Sequence, residues 1–338
     1  MPCFSSRSFS FHGKIEPEFF QIIFDNLLVL CRGVEFSSFG ISFKLPKPCA
    51  FEKEAKQLQT QLIKEFEKET KAKLDFIAPE ISFLVDFEWN RIECSVLPIY
   101  ISGRYNKFSR ELPQTLHYCF QCKGAGCMQC EFTGKASKES IQELLEEVFF
   151  HAFQATESKF HGAGREDKNV RMLGNGREFV LELLNAKKRK IGLAQIESRI
   201  NSALSEKIAV HDLKLCGKET IAKIKVESHD KIYSAMVSCN SVFDAKKLQN
   251  LLGEKLAVSQ HTPSRSEKSR SDLERKHSTV LQKFSRLNEK EFQLELACSH
   301  GMYVKEFISG DGERTSPSLS ELLGVNCLCT QLDVLLIL

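Results

Sequence analysis

Apolar residues recur at helical spacing between residues 55 and 66. Ala55, Leu58, Leu62 and Phe66 share one side, Lys and Glu fill the other, and the pattern predicts an amphipathic helix. Around 79–101 the pattern changes to segments rich in β-branched and aromatic residues, ISFLVDFEW and then IECSVLPIYISG, which read as strands. Helix and strands together make an α/β module. A second helix is expected at 138–153, where Ile141, Leu144, Leu145, Val148 and Phe149 mark one face. Beyond residue 183 period-two alternation dominates. Ala222, Ile224 and Val226 alternate with lysines, and Phe292, Leu294 and Leu296 alternate with Gln293 and Glu295. Ser228-His229-Asp230 and Ser299-His300-Gly301 sit where two hairpins should turn. Leu248, Leu251, Leu252 and Leu256 predict a helix over 245–256. Ser316-Pro317 reads as the cap and first residue of a short helix stopping at Gly324. The later part is therefore expected to be α+β with a largely antiparallel sheet. No internal repeat is visible.

Composition narrows the class. With 338 residues the chain has material for two or three domains, and 42% hydrophobic with 27% charged residues is the balance of a soluble globular protein. The apolar stretch Ile22 to Leu30 is interrupted by Asp25 and Asn26 and is far too short for a bilayer, so no membrane association is expected. The amino terminus lacks the features of a secretion signal, which points to a cytoplasmic protein. A net charge of +3 does not by itself announce nucleic-acid binding. Its distribution is more suggestive: Pro263 to Lys290 holds eight Lys or Arg against four Asp or Glu, and Lys187-Lys188-Arg189-Lys190 forms a second cluster. Such patches neutralise phosphates, or simply face solvent. Thirteen cysteines without a secretion signal argue for reduced thiols and metal ligation over disulfides.

Two constellations carry chemistry. Cys119-Phe-Gln-Cys122 and Cys127-Met-Gln-Cys130 are CxxC pairs four residues apart with Gly124 and Gly126 between them, a spacing suited to a closed, structural zinc site. The stretch 160–182, FHGAGREDKNVRMLGNGREFVLE, places the carboxylate of Asp167 in a glycine-punctuated loop between Arg165 and Arg171. Nearby positive charge suits a nucleophile or base that must stay ionised, although a surface loop with ordinary ion pairs has the same look. The glycine-rich run Ser309 to Thr315 lacks the Gly-Lys-Ser/Thr ending of a phosphate loop, and Gly124-Ala125-Gly126 follows no strand. No organic cofactor is expected.

Gly164 to Asp167, Arg171-Met172-Leu173-Gly174 and Gly176-Arg177 resemble the catalytic loop of the pseudouridine synthases, most closely the archaeal-type tRNA enzymes of pseudouridine synthase family ten. Asn169 and Glu178 stand where that family usually has Asp and Pro. Asp75-Phe76, Pro79-Glu80-Ile81, Leu84-Val85-Asp86 and Gly103-Arg104-Tyr105 with Lys107 resemble a THUMP-type RNA-binding domain, and the Cys segment through Thr133-Gly134-Lys135 resembles archaeal members. The resemblance implies a THUMP-like α/β accessory domain over 1–115, a zinc segment over 116–136 and an α+β pseudouridine synthase catalytic domain over 137–338. The first fifty residues match nothing nameable; their isolated Cys3, Cys31 and Cys49 suggest a shortened accessory region.

The resemblance makes Asp167 the catalytic carboxylate and Tyr233, on the predicted strand KIYSAMVSC, the ring that stacks on the base. It makes Lys305 the cation paired with Asp167, on a strand after Ser299-His300-Gly301, with Val304 packing beneath the base and Leu332 lining the pocket. Arg165 and Arg171 complete the substrate-facing set. The implied activity is isomerisation of uridine to pseudouridine in tRNA, at positions 54 and 55 of the T-psi-C arm, by a monomer. Two other readings fit the residues: a THUMP-containing RNA-modifying enzyme of another type, and an inert tRNA-binding protein or chaperone that keeps the fold.

Overall fold

Phenylalanine builds the core of the first part of the molecule. The computed structural model describes residues 4–266 and 271–338, so Cys3 and the basic-stretch residues Lys268 and Arg270 lie outside the described residues. Two compact units result: Met1–Ile101 with Leu145–Phe160 and Leu181–Ile196, and Ser102–Leu144 with His161–Val180 and Glu197–Leu338.

The first unit contains β1 (Ser5–Ser8), α1 (Pro17–Leu30), β2 (Ser38–Lys44), α2 (Glu52–Thr70), β3 (Lys73–Leu74), β4 (Ile81–Asp86) and β5 (Arg91–Val96). The strands form one mixed sheet in the order β1-β5-β4-β2-β3. β4 runs parallel to β2 and antiparallel to β5. The predicted helical stripe is the inner face of α2, with Ala55, Leu58, Leu62 and Phe66 all buried. The first fifty residues share this core. Phe9 and Phe19 of that stretch meet Phe87 at centroid distances of 5.7 and 5.9 Å, and Phe11 lies edge-on to Phe51 at 4.8 Å. Such edge-to-face contacts add to the burial of large rings. The basic cluster at 187–190 is partly structural. Glu35 accepts the backbone N–H of Arg189 at 2.8 Å and the Lys188 ammonium at 3.0 Å, and these bonds hold its carboxyl down to about 2.

The remaining elements are β6 (Ile99–Lys107), α3 (Ile141–Phe153), β7 (Glu157–Gly162), β8 (Val170–Leu184), α4 (Leu193–Ala203), β9 (Ile208–Cys216), α5 (Glu219–Val226), β10 (Lys231–Cys239), α6 (Ala245–Asn250), β11 (Lys255–Gln260), β12 (Arg275–Arg286), β13 (Glu291–Cys298), α7 (Val304–Ser309), β14 (Thr315–Ser316), α8 (Leu319–Leu323) and β15 (Cys327–Ile337). A ten-stranded sheet runs β14-β11-β12-β13-β10-β15-β8-β6-β9, with β7 beside β8. The recorded pairings are antiparallel except that of β15 with β8. The fold is mixed α+β.

Five sequence expectations are corrected. Residues 222–226 are helical: only Ile224 of the three alternating apolar residues is buried, and it pairs with Ile221 at helical spacing. Tyr303 to Glu306 begin a helix, because Val304, Phe307 and Ile308 point one buried face inward. Neither serine-led turn is therefore a hairpin: α5 precedes the first and α7 follows the second. The 245–256 helix stops at Asn250; Gly253 turns with positive φ, and Leu256, Val258 and Gln260 alternate inward on a strand. Finally, the last short helix is capped by Ser318, whose side chain accepts from Glu321 N while Glu321 reaches back, so Ser316 is two residues too early.

Gly174 fixes how β8 meets β15. It has φ of 57°, and a Cβ there would fall on the Leu335 carbonyl oxygen. Gly174→Ala should cost about 2–4 kcal/mol from strain and overlap combined. A denaturant midpoint within error of the parent's would contradict this reading.

Candidate active site

The loop between β7 and β8 carries Asp167. It turns through Gly164 at φ 83°, where a Cβ would stand 2.9 Å from Arg177 Nη1. Beneath it lies a buried polar layer. Arg177 Nε sits 2.8 Å from Glu166 Oε2, both side chains almost wholly enclosed, and Arg177 Nη1 donates to the Ala163 carbonyl at 2.7 Å. Tyr105 donates its hydroxyl to Glu166 at 2.8 Å, and Gln114 Nε2 donates to the Tyr105 oxygen and the Gly164 carbonyl. Lys107 is fully buried and spends its three protons on the carbonyls of Leu112, Asp167 and Lys168 at 2.9–3.1 Å. Burial draws its ammonium down to about 8, opposed by Glu166.

The Asp167 side chain opens into a cavity of about 810 Å³ that is also lined by Tyr233, Val304, Lys305, Leu332 and Arg265. Residues from five separate segments thus meet at one place. Lys305 Nζ lies 2.8 Å from Asp167 Oδ2 and 2.8 Å from Asn169 Oδ1. Arg265, on the turn Ser264–Ser266, brings Nη1 to the same Asp167 oxygen at 2.8 Å and Nε to Glu306 Oε1 at 2.6 Å. Burial pushes the Asp167 carboxyl up, but hydrogen bonds from Lys305 and then Arg265 outweigh it and hold the group below its ordinary value. Burial raises the Tyr233 phenol well above its usual range, so it is neutral at physiological pH.

The sequence neighbours of Asp167 do not supply its positive charge. Arg165 lines the cavity but meets His117 Nε2 at 2.8 Å. Arg171 grips Asp333 with two bonds of 2.9 and 2.6 Å; Asp333 also takes Arg110 at 2.6 Å. That clamp fixes the parallel register, in which Asp333 faces Arg171 and Leu332 faces Val170. Sequence reasoning missed Arg265, Glu306, Glu166, Arg177 and Gln114. Arg265 is one of eight cations in its stretch, and nothing local marks it as the one that turns inward.

The four cysteines Cys119, Cys122, Cys127 and Cys130 bring their sulfurs within 4.8 Å of one another. Sγ separations of 3.9, 3.7 and 3.6 Å match the roughly 3.8 Å edge of a tetrahedron with metal–sulfur bonds of about 2.3 Å. Backbone N–H groups of Gly126, Cys127 and Gly134 point at the Cys122 and Cys130 sulfurs at 3.2–3.3 Å, the donors a thiolate needs. Desolvation would raise the Cys130 thiol, but the Cys127 and Gly134 donors outweigh it and bring the group down to about 6. This group of side chains could hold a metal.

The family model described as Pus10, C-terminal, matches residues 100–337, and the chain belongs to that family. It is 42% identical to the tRNA pseudouridine synthase Pus10 of Methanopyrus kandleri, covering 76% of this chain and 61% of that one. It is 38% identical to the protein of the same name from Korarchaeum cryptofilum over 76% of this chain and 70% of that one. Against the one from Methanothrix thermoacetophila it is 33% identical over 96% of this chain and 75% of that one. The chain thus spans about three fifths of the Methanopyrus relative's length. Its backbone also overlays part of a solved Cbf5-Nop10-Gar1 complex at a TM-score of 0.32 and 13% identity, covering 58% of this chain and 44% of that one, too loose a match to argue from.

The buried Glu166–Arg177 pair should dominate the stability of the loop. Arg177→Met leaves a buried carboxylate without its counter-charge and should cost about 3–5 kcal/mol. Urea unfolding of the variant checks this; a loss below about 1 kcal/mol would mean that the Tyr105 hydroxyl satisfies Glu166 unaided.

Proposed function

We propose that the protein is a tRNA pseudouridine synthase acting on uridine in the T-psi-C arm, at position 54, 55 or both. The observation that carries this reading is the meeting of Asp167, Lys305 and Tyr233 in one cavity from segments 66 and 138 residues away from the carboxylate. The family's relatives, named as tRNA pseudouridine synthases, support it. A uridine inside a folded arm has to leave its stack to reach a cavity, at a cost of a few kcal/mol. Tyr233 then stacks on the extruded base as a neutral ring, while Val304 and Leu332 supply the apolar floor. Asp167, kept ionised by its cations, starts the reaction at the sugar. The bond from C1′ to N1 breaks, the base rotates, and C5 bonds to C1′. The C5 proton is lost and N1 gains one, so atoms and charge balance with no external reductant or cofactor.

Further parts of the proposal follow from the same resemblance. Residues 1–115 form a THUMP-like RNA-binding accessory domain, 137–338 is the catalytic domain, and a monomer in the cytoplasm does the work. Arg165 and Arg171 belong to the substrate-facing set, Arg171 by holding β8 and β15 together through Asp333. The four cysteines would hold structural zinc, which when bound contributes folding free energy and takes no part in the chemistry.

Three measurements test this. Pseudouridine mapping in a tRNA transcript incubated with the protein should show conversion in the T-psi-C arm. Asp167→Asn should lower the rate at least ~10³-fold while leaving tRNA affinity within about threefold; residual activity within tenfold of the parent would remove Asp167 from its role. Metal analysis of reduced protein should find about one zinc per chain, lost when any two of Cys119, Cys122, Cys127 and Cys130 become Ser, together with a lower melting temperature. Metal-free protein with the parent's melting temperature would contradict the zinc site.

A further inference from the structure

We propose that Arg265 is a positioning residue that works with Lys305 to commit Oδ2 of Asp167 to the two cations and leave Oδ1 as the reacting oxygen. This rests on the isomerase reading above. Both cations reach the same carboxylate oxygen, each at 2.8 Å, and among the described residues no donor reaches Oδ1. The terminal torsion of an aspartate is soft, so one flexible ammonium could follow a rotating carboxylate. Two cations arriving from different elements at one oxygen fix its orientation.

Arg265 is held in place at both ends. Its turn is tied to the loop after α7, where Asp311 accepts the Ser264 N–H at 2.8 Å and the Ser264 hydroxyl at 2.5 Å. Its guanidinium is tied to α7 itself through Glu306. The Glu306 side chain is buried, and its second oxygen is enclosed without a partner. Moving Arg265 away would strand a buried carboxylate, a far larger penalty than breaking a surface pair. One short helix thus brings Lys305 to Asp167 directly and Arg265 through Glu306. The other charged groups nearby are engaged elsewhere. Lys107 binds the main-chain oxygens of Asp167 and Lys168, Arg177 holds Glu166, and Arg165 turns to His117.

The test is a carboxyl-detected NMR titration of the full chain carrying ¹³C-labelled aspartate. It needs no RNA and no turnover. The Asp167 midpoint should lie below that of an ordinary aspartate and rise by about one pH unit in Arg265→Met, similarly in Lys305→Met, and further in the double variant. Arg265→Lys should restore most of the parent value. Glu306→Gln, which leaves Asp167 and both cations in place, should give an intermediate rise. An Arg265→Met midpoint coincident with the parent's overturns the proposal. In single-turnover assays the acid limb of Arg265→Met should move up with the titration, because the active form is the carboxylate; an unmoved limb beside a shifted midpoint also overturns it. If the parent forms no pseudouridine while the midpoints shift as stated, the isomerase reading fails and the two-cation hold on Oδ2 stands.

Discussion

The buried contact between Glu166 and Arg177 is the constraint on which the site depends. Two full charges in a low-dielectric interior need partners beyond each other, and here Tyr105 donates to Glu166, Gln114 donates to Tyr105, and the Ala163 carbonyl accepts from Arg177. Glu166 immediately precedes Asp167 in the chain. Locking the first residue from below therefore leaves the second only the upward direction, toward the cavity. Lys107 finishes the task by binding the carbonyls of the successive residues Asp167 and Lys168. A glycine-rich loop, which would otherwise be among the softest parts of the molecule, thereby becomes a rigid platform for a charged side chain.

Above that platform the positive charge arrives from far away in sequence. A loop arginine two or four residues from a carboxylate looks like its natural partner, yet loop geometry sends Arg165 and Arg171 to His117 and Asp333. The cations that reach Asp167 stand on α7 and on the turn tied to it. The electrostatics of the carboxylate are thus a property of tertiary packing, and no local window of the chain contains them.

This explains what could be read from the chain and what could not. The amphipathic face of α2, the strands around 79–101 and the close approach of the four cysteines were legible, because each rests on periodicity or spacing; Asp167 was singled out by its local motif, and its role is the one proposed above. The mistaken strand at 303–306 came from too short a window: Val304 alone is neutral between periods, and only Phe307 and Ile308 make the spacing helical. The alternation at 222–226 was real but carried no burial on two of its three apolar residues. Glu306 and Arg265 were invisible for a different reason. Nothing in a surface-like acid or one arginine among eight reveals that the two will pair beside a cavity.

The placement of β15 has a bearing on how the molecule comes into being. In sheet order it lies between β10, which carries Tyr233, and β8, which follows Asp167, although it comes after both in sequence. During synthesis, the strand bearing the stacking ring and the one leading from the carboxylate emerge with the space between them unfilled. Their edges stay open until residues 327–337 arrive and Asp333 closes on Arg171 and Arg110. Long-range pairing of this kind forms late and leaves unpaired edges exposed meanwhile. A nascent chain therefore holds nearly every residue of the site before it has a cavity to put them around.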